Sequence, residues 1–237
     1  MKAGIFTDSH YCEAEVLSET RRPFLSLIKI REAMDAFKAA DVDICLCLGD
    51  LTDHAPGNTK EDITCYFCES LDLIKSYGIP FYLVPGNHDY AILKREDLSE
   101  LGIKTPPYTV SFGGYELIIL DANYRSDGRC FDVAGVEWTD SNQPKDQVAF
   151  LKDALDKADK KCIVCIHENL DPYVDVDHIV INAEEIRRII RESGKVECVL
   201  QGHYHFGAEH TVDGIPYITF PAMGEGTENT FRIMNFE

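Results

Sequence analysis

The chain has 237 residues, of which 45% are hydrophobic and 27% are charged, and its formal net charge is −18 at pH 7. These proportions are those of a globular protein with a sizeable core, so they exclude a disordered chain. The acidic charge disfavours long nucleic acid and an anionic membrane surface as main partners, but it allows a small phosphorylated substrate.

Strands and helices alternate in the first half of the chain. The hydrophobic pattern predicts strands at 2–7, 44–48 and 80–84, one helix that begins at Pro23 and a second at 61–76. Leu27, Ile30, Met34 and Phe37 recur at helical spacing and give the first helix one apolar face. This alternation is typical of the parallel part of an α/β sheet.

The second half of the chain also contains hairpin signals. Gly113-Gly114 separates predicted strands at 108–112 and 116–120, which indicates an antiparallel pair. Val148, Leu151 and Leu155 align on a predicted helix, and Asn182 with Glu185 predicts a capping box for the helix that carries Ile186, Ile189 and Ile190. Further strands are predicted at 162–166, 196–201, 209–212, 216–220 and 231–236, with a hairpin at Asp213-Gly214.

An ordered series of polar motifs follows these strands, and it contains five of the eight histidines. In chain order the motifs are Asp8-x-His10, Gly49-Asp50, Gly86-Asn87-His88-Asp89, His167 and Gly202-His203-Tyr204-His205. Carboxylate, amide and imidazole donors without thiolate suit Mn, Fe or Zn. Each motif lies at the carboxyl end of a strand, where α/β sheets bind ligands. The pattern predicts a two-metal hydrolase site.

With Asp53 completing Gly-Asp-x-x-Asp, this set of motifs resembles the calcineurin-like metallophosphoesterases across nearly the whole chain. The spacing is most similar to the bacterial branch that contains the class III cyclic nucleotide phosphodiesterases. The resemblance implies one α/β (mixed α+β) domain over 1–237, a four-layer αββα sandwich with two central mixed β-sheets flanked by helices. It also implies two divalent or trivalent metal ions.

The resemblance further assigns the ligands. It places one ion on Asp8, His10, Asp50 and His205 and the other on Asp50, Asn87, His167 and His203. Asp50 then bridges the two ions, which repel each other and need a shared anion. A bridging hydroxide is the expected nucleophile, because coordination lowers the pKa of water from 15.7 to roughly 7.

His88 follows a ligand directly, and in the family this histidine is not itself a ligand. We expect it to stabilise charge on the phosphoryl group and to protonate the leaving oxygen as a general acid. Asp53 matches the family aspartate that holds this ring and raises its pKa, although a loop aspartate has many other uses. Asp89 is interpreted as a loop cap.

Two irregular segments, 123–143 and 171–181, are long enough to suggest a functional role. Arg125 or Arg129 could clamp a substrate phosphate, and the Trp138 ring could stack on a base. Exposed loop residues often do neither, so both readings stay open. Three further histidines are interpreted as non-ligands, namely His54, His178 and His210.

Nine cysteines and a first segment without a charged leader and apolar core favour a reducing cytoplasm. No apolar run reaches membrane-spanning length. The Cys65-x-x-Cys68 and Cys162-x-x-Cys165 pairs have zinc-knuckle spacing but lie in a predicted helix and strand, so we interpret them as packing residues. Cys12 is interpreted as packed or exposed and not as a ligand.

The leading hypothesis is a metal-dependent phosphoesterase that acts on a small phosphodiester or phosphomonoester, nucleotide-like in character. A nucleotide-sugar or nucleotide-alcohol pyrophosphatase would need the same two metals and is the first alternative. A non-enzymatic metal-binding scaffold is a second, although no expected ligand is missing. The acidic net charge argues against a nuclease, which would have to bind a nucleic acid of the same sign of charge. The oligomeric state is left open, and a homodimer is compatible with the sequence.

Overall fold

Two β-sheets form the centre of the fold in the computed structural model, which describes residues 1–131 and 137–236. The first sheet has the order β10-β1-β2-β3. Its strands are β1 (Lys2–Phe6), β2 (Ile44–Cys47), β3 (Phe81–Leu83) and β10 (Arg232–Asn235). β1, β2 and β3 are parallel, whereas β10 pairs antiparallel with β1. This sheet is therefore mixed.

The second sheet is also mixed and has the order β4-β5-β6-β7-β9-β8. Its strands are β4 (Tyr108–Phe112), β5 (Tyr115–Ile119), β6 (Lys161–Cys165), β7 (Val196–Gln201), β8 (Ala208–Val212) and β9 (Ile215–Thr219). The four inner strands are parallel, and the two edge strands are antiparallel to their neighbours. The hairpins predicted at Gly113-Gly114 and Asp213-Gly214 are confirmed.

Helices cover the outer face of each sheet. They are α1 (Ser26–Ala39), α2 (Lys60–Lys75), α3 (Arg95–Glu100), α4 (Lys145–Lys157) and α5 (Ala183–Ser193). A turn of 3₁₀ helix at Pro23–Leu25 leads into α1, at the predicted position. None of the helices within the described residues has both the length and the apolar character needed to cross a membrane.

Three apolar clusters separate the four layers. One joins α1 and α2 to the first sheet, a second fills the space between the sheets, and a third joins α4 and α5 to the second sheet. Strand β2 shows how alternation builds two of them, because Cys45 and Cys47 face the helices while Ile44 and Leu46 face the other sheet. The predicted αββα sandwich is confirmed.

One local expectation was wrong, and one helix was missed. Asn182 precedes α5 but makes no capping hydrogen bond. Its amide instead bonds to the backbone of Gln143, accepting from the N–H at 2.9 Å and donating to the carbonyl at 3.0 Å. The helix α3 was not predicted, because six residues carry too little periodicity.

The cysteines are all free, and most are packed as expected. Cys12, Cys45, Cys47, Cys162, Cys165 and Cys198 are buried. Cys65 departs from the expectation, because it lies on the exposed face of α2, whereas Cys68 and Cys130 are partly buried. Its thiol contacts the Glu69 carboxylate at 3.9 Å.

Candidate metal centre

The loops that follow five strands meet at one edge of the sandwich. Asp8, Asp50 and Asn87 follow β1, β2 and β3 of the first sheet, whereas His167 follows β6 and the His203 to His205 segment follows β7 of the second. The two sheets thus contribute separate halves of one polar cluster, and most of its side chains are buried, with Asn87 and His205 partly exposed. The structure brings the predicted ligand residues together.

The donor atoms include two neighbouring groups, one of Asp8, His10 and His205 and the other of Asp50, His167 and His203, and the combination of His10, Asp50 and His88 links them. Within each group the donors lie within 4.8 Å of one another. Oδ2 of Asp50 is 3.3 Å from Nε2 of His167 and 3.7 Å from Nε2 of His10. Asp50 therefore lies between the groups, where a shared ligand would stand.

Buried polar atoms without hydrogen bonds show that these residues fit cations. Among the described residues, Oδ1 of Asp8, Oδ1 of Asn87 and Nε2 of His167 are buried and have no hydrogen-bond partner. Leaving such atoms unpaired is costly, and a cation would satisfy them. The Nε2 atoms of His10 and His205 are 3.1 Å apart, a separation that fits two imidazoles sharing one ion.

The opposite ring nitrogen of each of two histidines is held by an acceptor. Nδ1 of His167 is 2.6 Å from the Leu48 carbonyl, and Nδ1 of His205 is 3.0 Å from Glu225. Nδ1 of His10 lies 3.2 Å from Oδ2 of Asp53 but makes no hydrogen bond. Such partners fix the ring orientation and leave Nε2 free for a metal.

The pKa values of the cluster also indicate that its carboxylates need positive charge beside them. Burial alone would raise the pKa of Asp8, but His167 and the hydrogen bonds from His10 and His205 outweigh it and hold the pKa well below its usual range. Burial would lower the pKa of His205, yet its bonds to Asp8 and Glu225 raise it to about 9. Without metal, protons therefore supply the positive charge that these carboxylates require.

Backbone strain is concentrated in the same loops. Asp8, His10, Asp50 and His203 have φ values of 51°, 50°, 50° and 67°. Residues other than glycine seldom adopt this left-handed conformation, and it persists where the surrounding structure imposes it. A β-carbon on Gly86 would collide with the Asp50 carboxylate and lie 2.7 Å from Nε2 of His167. This glycine therefore permits the close approach of the two sheets.

Asp53 connects several groups beside the cluster. One oxygen is 2.8 Å from Nδ1 of His88, and the other accepts a hydrogen bond from Nη1 of Arg21 at 2.6 Å. Burial would raise the pKa of Asp53, but the interactions with His10 and His88 hold it far below its usual range. Burial would lower the pKa of His88, but Asp50 and Asp53 raise it. The His88 ring is therefore held next to a permanent negative charge.

Asp89 joins two of the loops, in keeping with its interpretation as a cap. Its carboxylate accepts hydrogen bonds from the N–H groups of four residues. These are Asp50, Leu51, Thr52 and Gly86. The side chain is fully buried under them, so it holds the Asp50 and Asn87 loops together.

A cavity of about 620 Å³ opens over the cluster. Its lining includes Asp50, Asn87, His88, His203, His205, Thr20, Arg21, Trp138, His178, Phe206, Glu225 and Gly226. Arg21, Glu225 and Phe206 were not predicted from the sequence. Arg21 lies in an irregular segment without a motif, and the only signal for Glu225 is its position between two glycines.

Arg125 and Arg129 do not line this cavity. Arg129 pairs with Asp127 at 2.6 Å in an exposed turn, and Nε of Arg125 is 3.7 Å from Asp140. Their contact with substrate stays a prediction. Trp138 of the same segment does face the cavity, whereas residues 132–136 lie outside the described part of the chain. His178, placed among the non-ligands, lies 5.1 Å from His203 between ring centroids.

The comparisons with known proteins agree with this geometry. A family model described as calcineurin-like phosphoesterase matches residues 1–207. The 3′,5′-cyclic adenosine monophosphate phosphodiesterase CpdA of Haemophilus influenzae is 23% identical, over 91% of this chain and 74% of its own length. A probable cyclic nucleotide phosphodiesterase of Fibrobacter succinogenes is 22% identical, over 92% of this chain and 78% of its own length.

Among solved structures, a dimetal phosphatase from Danio rerio superposes with a TM-score of 0.83 and 18% identity. The match covers 98% of this chain and 91% of that one, and it shows a common fold. The family model covers most of the chain, including every residue of the donor cluster. The chain therefore belongs to the calcineurin-like phosphoesterase family.

Proposed function

We propose that this protein hydrolyses a small phosphodiester of nucleotide character with two bound metal ions. The observation that carries the proposal is the position of Asp50 between two groups of buried donors, with His88 beside them. Relatives named as cyclic nucleotide phosphodiesterases support the diester. They also match the branch that the motif spacing resembles.

The donor set divides between two ions. Asp8, His10, Asp50 and His205 would hold one, and Asp50, Asn87, His167 and His203 would hold the other. When bound, the ions supply Lewis-acid activation of water and of the phosphoryl oxygens. Imidazole, amide and carboxylate donors suit Mn, Fe or Zn.

His88 supplies the proton to the leaving oxygen in this proposal. Its Nδ1 faces Asp53 at 2.8 Å, which leaves Nε2 as the nitrogen that can donate into the cavity. Asp53 favours the protonated ring, as a positioned general acid requires. The ring is also 4.6 Å from the His10 ring, so the donor lies at the metal cluster.

Arg21 and the aromatic side chains would orient the rest of the substrate. The Arg21 guanidinium is held by Asp53 and by Glu225 and lines the same cavity as the aromatic residues. An arginine in this position can bind a phosphate oxygen. Phe206 is 85% exposed at the cavity rim, and Trp138 lies beside His178. Exposed rings of this kind offer stacking surfaces for a base.

The test compares two reporters on the same protein. Metal-stripped enzyme is restored with Mn²⁺ and assayed with bis(p-nitrophenyl) phosphate, a diester, and p-nitrophenyl phosphate, a monoester. We expect diester turnover that requires metal and is lost in Asp50→Asn. Asp213→Asn, an equal carboxylate-to-amide change on a remote hairpin, is the matched control. Turnover that survives in Asp50→Asn would refute the proposal, and activity on the monoester alone would refute the diester assignment.

A further inference from the structure

A further group of possible metal donors lies beside the main cluster. Asp53, His54 and His88 each offer one donor atom, and the three atoms lie within 4.8 Å of one another. Oδ1 of Asp53 is 2.8 Å from Nδ1 of His88 and 3.6 Å from Nδ1 of His54. Two imidazoles and one carboxylate, with open positions for water, form a donor set that binds Zn²⁺.

We propose that these three residues bind an inhibitory divalent cation, with Zn²⁺ preferred over Mn²⁺. The preference follows from the Irving–Williams order, because nitrogen donors favour Zn²⁺ over Mn²⁺. Binding here would be weaker than at the main cluster, since the protein supplies three donors and the His54 side chain is 43% exposed. This site is therefore filled when Zn²⁺ is in excess.

The three donors face one another. The other oxygen of Asp53 is engaged by Arg21, so Oδ1, which also accepts the backbone N–H of His54 at 2.7 Å, is the oxygen that faces both imidazoles. The His54 imidazole makes no hydrogen bond within residues 1–131 and 137–236, and it reaches solvent without any opening of the fold. The rings of His54 and His88 are 6.5 Å apart between centroids, so His54 can turn towards the same ion.

The inhibition rests on the proposed role of His88 as general acid. An ion on Nδ1 of His88 takes the place of the proton that bonds to Asp53. The ring then keeps a proton on Nε2 but no longer carries the second proton that makes an imidazolium acidic. Proton donation to the leaving oxygen is lost, while the ligands of the main cluster are not displaced.

Counting bound metal tests the site without any assay of turnover. Metal-stripped protein is dialysed to equilibrium against increasing Zn²⁺, and bound zinc is measured for wild type, His54→Ala and His210→Ala. We expect His54→Ala to bind one Zn²⁺ fewer at saturation than the other two proteins. His210 is a suitable control because it is also a partly exposed histidine, but it lies on β8 beside Asp171. Equal zinc counts in all three proteins would overturn the proposal.

Rates measured with the diester reporter test the inhibition. Excess Zn²⁺ added to the Mn²⁺-loaded enzyme should lower the rate of wild type and His210→Ala about 100-fold more than that of His54→Ala. Equal inhibition of the three proteins would overturn the inhibitory role. A protein that turns over neither reporter but loses one Zn²⁺ in His54→Ala would refute the proposed function and retain the third site.

Discussion

Nδ1 of His88 lies 2.8 Å from the buried carboxylate of Asp53, whose second oxygen is held by Arg21. Replacing Asp53 with asparagine keeps the size of the side chain but removes its charge. We expect Asp53→Asn to lower kcat about 10–100-fold with two metal ions still bound. Steady-state kinetics and metal analysis on one preparation would check this, and an unchanged kcat would show that the pairing has no catalytic role.

Substitution of Arg21 tests whether the substrate phosphate binds to this arginine or to the arginines of the loop at 123–143. Arg21→Met removes the guanidinium that lines the cavity, so we expect KM for the diester to rise about tenfold with a smaller change in kcat. Arg125→Met and Arg129→Met are matched controls on the exposed loop, where both arginines pair with aspartates. A rise in KM for a loop variant and not for Arg21→Met would instead support the phosphate clamp predicted from the sequence.

Substitution of Gly86 tests how closely the loops of the two sheets must approach each other for metal to bind. A β-carbon at this position would collide with the Asp50 carboxylate and crowd the His167 ring. We expect Gly86→Ala to lose metal binding and at least about 100-fold in activity, as loss of a cluster of ligands would cause. Gly114→Ala is the control, because a β-carbon there meets no atom within 4 Å. Full activity in Gly86→Ala would show that the loops can separate at little cost.

Asn123 supports the loop that carries Asn87. Its amide donates to the Pro85 carbonyl at 3.0 Å and to Asp121 at 2.9 Å, and the side chain is fully buried. Asn123→Ala leaves the Pro85 carbonyl without its donor, whereas Asp121 still accepts the backbone N–H of residue 123, so we expect the free energy of unfolding to fall by about 1–3 kcal/mol. Urea denaturation of the metal-free protein measures this, and an unchanged midpoint would mean that water replaces the amide.

Metal binding should depend on pH. The pKa of His205 is raised to about 9 in the metal-free protein, so the ring is protonated at neutral pH. An ion must displace that proton, and the apparent affinity should therefore increase as the pH rises from 6 towards about 9. Calorimetry in buffers with different ionisation enthalpies counts the released protons. Metal binding without proton release at pH 7 would contradict the prediction.

The sequence was sufficient to predict the loops that carry the ligands, but not the residues that line the cavity around them. Asp8, Asp50 and His167 could be found because each follows a hydrophobic strand, and the carboxyl ends of parallel strands lie at one edge of each sheet. Arg21 and Glu225 meet only through tertiary structure, from positions 204 residues apart, and neither lies in a motif.

Local rules failed where a distant partner competed for the same group. The capping box expected at Asn182 is absent because the backbone of Gln143 offers both a donor and an acceptor to its amide. The left-handed backbone at Asp8 and Asp50 was equally invisible in the sequence. Aspartate does not require this conformation, so it is the surrounding structure that imposes it.

The division of the donors between the two sheets has a mechanical consequence. One sheet carries Asp8, Asp50 and Asn87, and the other carries His167, His203 and His205. Ions bound between these residues would therefore link the two sheets at one edge of the core that they share. Neither half of the polypeptide holds a complete coordination sphere. Resistance of the folded chain to proteolysis would then follow the supply of metal, because ligands that bind only the native state oppose its opening.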